Sequence, residues 1–145
     1  MIDARFYQRL LIGCAFLAAF VALDFLSYVK PYRGLAITPW NPPPGLSIAI
    51  VFLGGLFYAP FVLAAPFLAD LIVRGSALGP SLELALSLAI GSTYLGAGLV
   101  LQRITTFDPR FRYVRDALTL VGVAAAASLV AAALYVVILL GTGTI

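Results

Sequence analysis

Few side chains in this sequence can do chemistry, and they stand at particular places. Asp24, Asp70 and Glu83 are carboxylates in or beside apolar runs, and Arg74 follows Asp70 by four residues. Trp40 stands in a proline-rich stretch, Thr38-Pro39-Trp40-Asn41-Pro42-Pro43-Pro44-Gly45. An acid inside an apolar helix costs about 2.5–3.5 kcal/mol on insertion scales, so it faces protein or water rather than lipid. Asp24 is either such an inward-facing acid or a helix-end acid held by water, Lys30 or Arg33. The spacing of Asp70 and Arg74 suits an ion pair on one helix face, structural or in contact with a ligand. Glu83, in the first turn of a helix, suits the positive end of the helix dipole. Trp40 fits a membrane interface, with its ring in hydrocarbon and its N–H among headgroups. With Asn41, Pro42, Pro44 and Gly45 it forms either an interfacial anchor or the rigid wall of a ligand pocket. Gly45 would then allow close backbone approach.

Several chemistries are excluded. The chain has no histidine, so imidazole-held zinc or haem and Ser-His-Asp catalysis are absent. Its single cysteine, Cys14, excludes a disulfide within the chain. There is no P-loop, no G-x-S-x-G, no H-E-x-x-H and no carboxylate pair with a partner base. The expectation is a chain that is not itself an enzyme and that holds no metal and no cofactor.

Composition says which elements must position these residues. Of 145 residues, 63% are hydrophobic and 10% charged, and the mean hydropathy is +1.08. A soluble domain is about a quarter charged. The net charge of +3 comes from scattered arginines and one lysine rather than a basic stripe, so no nucleic-acid partner is expected. The apolar runs are continuous rather than alternating, which predicts membrane helices and not barrel strands. The fold class is therefore all-α, a polytopic transmembrane bundle of about five hydrophobic helices over 8–29, 45–58, 60–74, 82–102 and 114–140. Arg5 and Arg9 before Leu10–Leu23 imitate a signal peptide, but no A-x-A site follows, so a retained span is expected.

Residues 31–44 contain Pro31, Pro39, Pro42, Pro43 and Pro44 and read as an extended connection. A single helix from Gly45 to Val73 would be ~43 Å long, too long for a bilayer of ~30 Å without strong tilt. Gly54-Gly55 and Pro60 argue for a break and a hairpin of two short arms, either full spans or a re-entrant pair. Charge placement agrees. With a hairpin, Arg5, Arg9, Arg103, Arg110, Arg112 and Arg115 share one face, against Lys30, Arg33 and Arg74 on the other. The positive-inside rule then puts the N-terminus in the cytoplasm. Ser87-x-x-x-Gly91, Ser92-x-x-x-Gly96 and Gly122-x-x-x-Ala126 are small-residue pairs suited to close helix packing. Thr106-Phe107-Asp108-Pro109-Arg110 reads as an N-cap with proline at the first helical position. The arginines that follow suit anionic lipid headgroups.

The stretch of Trp40, Pro42 or Pro43, and Gly45, followed by Leu46–Phe57 with Gly54-Gly55 and then Pro60–Asp70, resembles the MASE1 family of bacterial membrane-associated sensor domains. Asn41 and an extra proline depart from that family's pattern. The resemblance implies an eight-helix bundle of which 145 residues would be an incomplete, single sensor-like domain. It implies a histidine kinase or cyclic-di-GMP output domain beyond this chain. The expected function is signal input in the bacterial inner membrane, sensing an unknown small-molecule ligand or membrane cue. Membrane lipids are the expected surroundings, and the reading admits a homodimer formed through the full-length protein. Asp24, Trp40, Asn41, Pro42, Pro44, Gly45, Asp70, Arg74 and Glu83 are the candidate ligand-binding residues. A solute-transporter subunit and a structural subunit of a membrane complex are the alternatives.

Overall fold

A computed structural model describes residues 4–28, 41–76, 78–104, 107–110 and 112–144. Every regular element among them is helical. They are α1 (Ala4–Ser27), α2 (Pro43–Gly54), a 3-10 turn (Gly55–Tyr58), α3 (Ala59–Ala69) ending in a π-turn (Asp70–Arg74), α4 (Pro80–Arg103) and α5 (Val114–Gly141). Four helical stretches, Ala4–Ser27, Pro43–Arg74, Pro80–Arg103 and Val114–Gly141, are long and apolar enough to cross a membrane. The chain is a multi-pass membrane protein.

The second stretch is a hairpin. Neighbours along α4 establish the two directions. Asn41 and Pro44 share a cavity with Glu83 and Ile90. Ile48 packs with Tyr94 and Ala97, and Gln102 reaches Val51, Phe52 and Gly55. Numbers in α2 therefore rise with those in α4. In α3 they fall, from Val62 and Leu63 at Gly91 to Asp70 beside Glu83. Gly55 makes the reversal, with φ +68 and ψ −157. That region of backbone space is nearly closed to side-chain-bearing residues. Gln102 donates to the last-turn carbonyls of Val51 at 3.0 Å and Phe52 at 2.8 Å. These are among the acceptors a terminating helix leaves short of partners.

Each arm, with its turn, is about 24 Å long. The tip nevertheless reaches the end of the bundle. Phe57 meets Phe6 edge-on and lies under the Arg9 guanidinium, and Phe52 meets Phe107. The start of α1, the 55–58 turn and the connection from α4 to α5 thus share one end, here called the turn end. The end of α1, the start of α2, the 75–79 loop and residues 142–144 share the other, the cavity end.

Gly55→Ala is expected to cost about 1–3 kcal/mol, because alanine must adopt the strained backbone or straighten the hairpin. Gly45→Ala is the control, since an added Cβ there meets nothing within 4 Å. Thermal unfolding of the detergent-solubilised protein checks both: a clear loss for Gly55→Ala and almost none for Gly45→Ala.

Two apolar clusters hold the helices. One joins Phe16 and Phe20 of α1 to Ile50, Val51, Tyr58, Val62, Ala65 and Ala69 of the hairpin. The other joins Ile48 to Tyr94, Ala97 and Leu101 of α4 and to Ala127 and Ala131 of α5. Close approach occurs at Gly91, where a Cβ would sit 3.0 Å from the Val62 carbonyl oxygen. It occurs again at Gly98, where a Cβ would sit 2.6 Å from Val51 Cβ. The pairs ending at Gly96 and starting at Gly122 do not act this way, because both glycines face open space.

Three local expectations are corrected. The extended connection does not run to 44, because Pro43 and Pro44 already form the first turn of α2, where a missing N–H costs nothing. Gly45 makes no close approach and is exposed. Pro109 does not open α5. Asp108 instead accepts the Arg110 N–H at 2.9 Å and pairs with Arg112. The helix begins at Val114, where the Asp116 side chain accepts the Tyr113 N–H at 3.3 Å.

Candidate functional site

At the cavity end, charged side chains from three elements meet in a largely apolar bundle. Arg74, at the close of the π-turn, stands at their centre. One terminal nitrogen, Nη2, donates to Asp24 Oδ1 on α1 at 3.0 Å, and the other, Nη1, donates to Asp70 Oδ1 one turn back. Its guanidinium also lies over the Tyr28 ring, 5.6 Å from the centroid. The i,i+4 pair expected from sequence is therefore present, but it is shared with a partner fifty residues away. Asp24 is 6% exposed. It pairs with Arg74; Lys30 and Arg33, its expected partners, lie outside the described residues. Gly75 stops the helix in the left-handed conformation, φ +66 and ψ 31, which glycine adopts without cost.

Glu83 is 2% exposed, and it does more than complement a dipole. The Ser76 hydroxyl donates to Oε2, and the Leu78 backbone N–H donates to Oε1 at 3.1 Å. Both oxygens are thereby satisfied, and the 75–79 loop is fastened to the first turn of α4. Asp24 differs: its Oδ2 is buried and has no hydrogen-bond partner among the described residues. A buried carboxylate oxygen without a donor is expensive.

These groups border a cavity of about 840 Å³. Of the residues singled out from sequence, Asp24, Asn41, Pro44, Asp70, Arg74 and Glu83 line it. Pro42 and Gly45 do not, and Trp40 lies outside the described residues. The described part of the proline turn thus contributes to the wall through Asn41 and Pro44.

Sequence reading missed Tyr94 on α4 and Ser128 and Tyr135 on α5, which line the same cavity. A signal was present. Ser128 and Tyr135 are seven residues apart in a helix of alanine, valine and leucine, which puts both on one face. Pro66, inside α3, also lines the cavity. The remaining wall is apolar, from Phe20, Leu86, Ile90 and Leu139. A few convergent polar groups on an apolar wall, at this volume, are the usual form of a small-molecule site. A second, shallower cavity of about 430 Å³ between α1 and the end of α3 is lined by Leu17, Val21, Phe25, Leu68 and Ile72. It offers no charged side chain to orient a ligand.

Comparison of the chain with protein-family models, with curated proteins and with solved structures gave no match.

Proposed function

We propose that this chain is the membrane-embedded input part of a bacterial signalling protein, similar to the MASE1 domains, and that its ligand occupies the cavity at Asp24, Asp70 and Arg74. The observation that carries this reading is that Asp24, Asp70, Arg74 and Glu83, from three elements, border one cavity in a largely apolar bundle. All five helices contribute to the wall: Asp24, Pro44, Pro66, Glu83 and Tyr135 come from α1 to α5 in turn. A ligand touching all five binds two helix packings with different affinity, which is the requirement for shifting their populations. The displacement passes along the helices to the turn end, and from there to an output domain outside this chain.

The inner membrane is the proposed location, with the turn end in the cytoplasm. The support is charge. Arg5, Arg9, Arg103, Arg110, Arg112 and Arg115 belong to segments at the turn end, and Arg74 belongs to the cavity end. A cytoplasmic excess of arginine is what the positive-inside rule requires. Arg112 and Arg115 are well exposed and placed to meet anionic headgroups. A transporter subunit has less support, because it asks the broken helix itself to hold the solute. Here the break at Gly55 lies at the opposite end of the hairpin from Asp70.

Asp70→Asn in the full-length protein is the test. It keeps the side-chain shape and removes one charge from the cavity. Signalling output is expected to change about fivefold or more, in the usual range of coupling energies, at equal protein level and membrane insertion. Unchanged output at equal abundance would overturn the reading.

A further inference from the structure

We infer that the ligand of this cavity carries a positively charged nitrogen, an ammonium or amine group, on an apolar body. This rests on the reading of the cavity as a ligand site and adds the chemical class. Among the described residues, three carboxylates, Asp24, Asp70 and Glu83, line the cavity with one cation, Arg74. Arg74 donates from both terminal nitrogens to carboxylates and stacks on Tyr28, so its charge is already balanced by the two acids. Glu83 is satisfied by its own loop. The Asp24–Arg74–Asp70 cluster carries two carboxylates to one guanidinium, and one buried oxygen, Asp24 Oδ2, on a side chain 8% exposed, has no hydrogen-bond partner among the described residues.

A negative ligand would add to that charge, and a neutral one would leave it uncompensated in a poorly polarisable surrounding. An ammonium group neutralises it and supplies the missing donor. The rest of the wall agrees. Tyr94 and Tyr135 offer aromatic rings to a cation, and Phe20, Ile90 and Leu139 offer apolar surface to the body that carries it. Two sources present this chemistry: a free amine, and the ethanolamine headgroup of a membrane lipid.

The test uses the purified chain in nanodiscs of phosphatidylglycerol, titrated calorimetrically with 2-phenylethylamine and with its neutral isostere 2-phenylethanol. Saturable binding of the amine and none of the alcohol is expected. Asp24→Asn and Asp70→Asn should each weaken amine binding by about tenfold or more. A charge-free triple variant, Asp24→Asn, Asp70→Asn and Arg74→Met, should abolish it while retaining helicity and thermal unfolding. That variant also separates site binding from attraction of the amine to the anionic lipid. Repeating the titration with phosphatidylethanolamine in the disc distinguishes the sources. Competition, together with a raised unfolding temperature, assigns the site to the lipid headgroup, and an unchanged titration assigns it to a free amine. Equal binding of amine and alcohol would overturn the cation and leave the cavity as a site. No binding of the amine and no effect of phosphatidylethanolamine would overturn the cation too. The response of signalling output to Asp70→Asn then decides the site reading separately.

Discussion

Arg74→Met is expected to destabilise the protein by about 3 kcal/mol, near the lower end of the range for breaking a buried ion pair. The lower end applies because the Arg74 side chain is 27% exposed and Asp70 24%. Methionine fills the volume of the arginine stem, so lost packing contributes little. What remains is two carboxylates without their shared cation, one of them almost wholly enclosed. They must take up protons or draw water into the bundle, and either response costs stability. The contact between α1 and the end of the hairpin then weakens, because Asp24 and Arg74 are its polar link. The charge-free triple variant should recover most of the loss, since removing all members of a buried charge cluster is far cheaper than removing one. Thermal unfolding in detergent reads both variants. A single variant as stable as the parent, or a triple variant no better than the single, would show that the three residues do not form one cluster.

Gly98→Leu is expected to cost at least as much. Its missing side chain is what lets α4 lie against α2. A Cβ there would stand 2.6 Å from Val51 Cβ and 3.0 Å from the Ile48 carbonyl oxygen. Val51 is fully buried, and a carbonyl cannot rotate away from its helix. The two helices must therefore separate, which also moves Ile48 away from Tyr94 and Ala97. Overpacking a tight core costs about 1–3 kcal/mol when neighbours can shift, and more when they cannot. Gly96→Leu, two residues away and facing open space, should be tolerated. A matched pair of unfolding curves tests this. Equal stability of the two variants would mean that α2 and α4 do not touch at Gly98.

Much of this architecture was legible because membrane helices obey simple rules. Length per span, the charge split and the Gly54-Gly55 pair together called for a hairpin, and Gly55 supplies the reversal. The residues that bind one element to another were not legible. Gln102 reads as an ordinary helix-end polar residue, yet it holds the carbonyls of Val51 and Phe52. Nothing local to Gly98 distinguishes it from Gly96, since only the neighbouring helix decides which of them is close-packed. The same limit applied to the site. Asp70 and Arg74 could be paired because the helix repeat fixes their distance. Cost alone left Asp24 either facing inward or held at its helix end by water, Lys30 or Arg33. Arg74 was not among the partners expected for it, because it lies fifty residues away on another element. Pro43 and Pro44 form the first turn of α2, and of the described part of the proline stretch Asn41 and Pro44 line the cavity.

The central claim is that the charged end of the bundle encloses a water-accessible, negatively charged cavity, opening on the side of the membrane opposite the N-terminus. Ala132 lines that cavity without taking part in the charge cluster. In a Cys14→Ser background, Ala132→Cys should react in intact spheroplasts with an impermeant trimethylammonium methanethiosulfonate. It should react about tenfold more slowly with the sulfonate reagent of similar size, since about 1.4 kcal/mol of local potential suffices for that ratio. Phe111→Cys, between Arg110 and Arg112 in sequence, should react only after the membrane is opened. Failure of position 132 to react from outside, equal rates with the two reagents, or labelling of position 111 in intact spheroplasts would contradict the account.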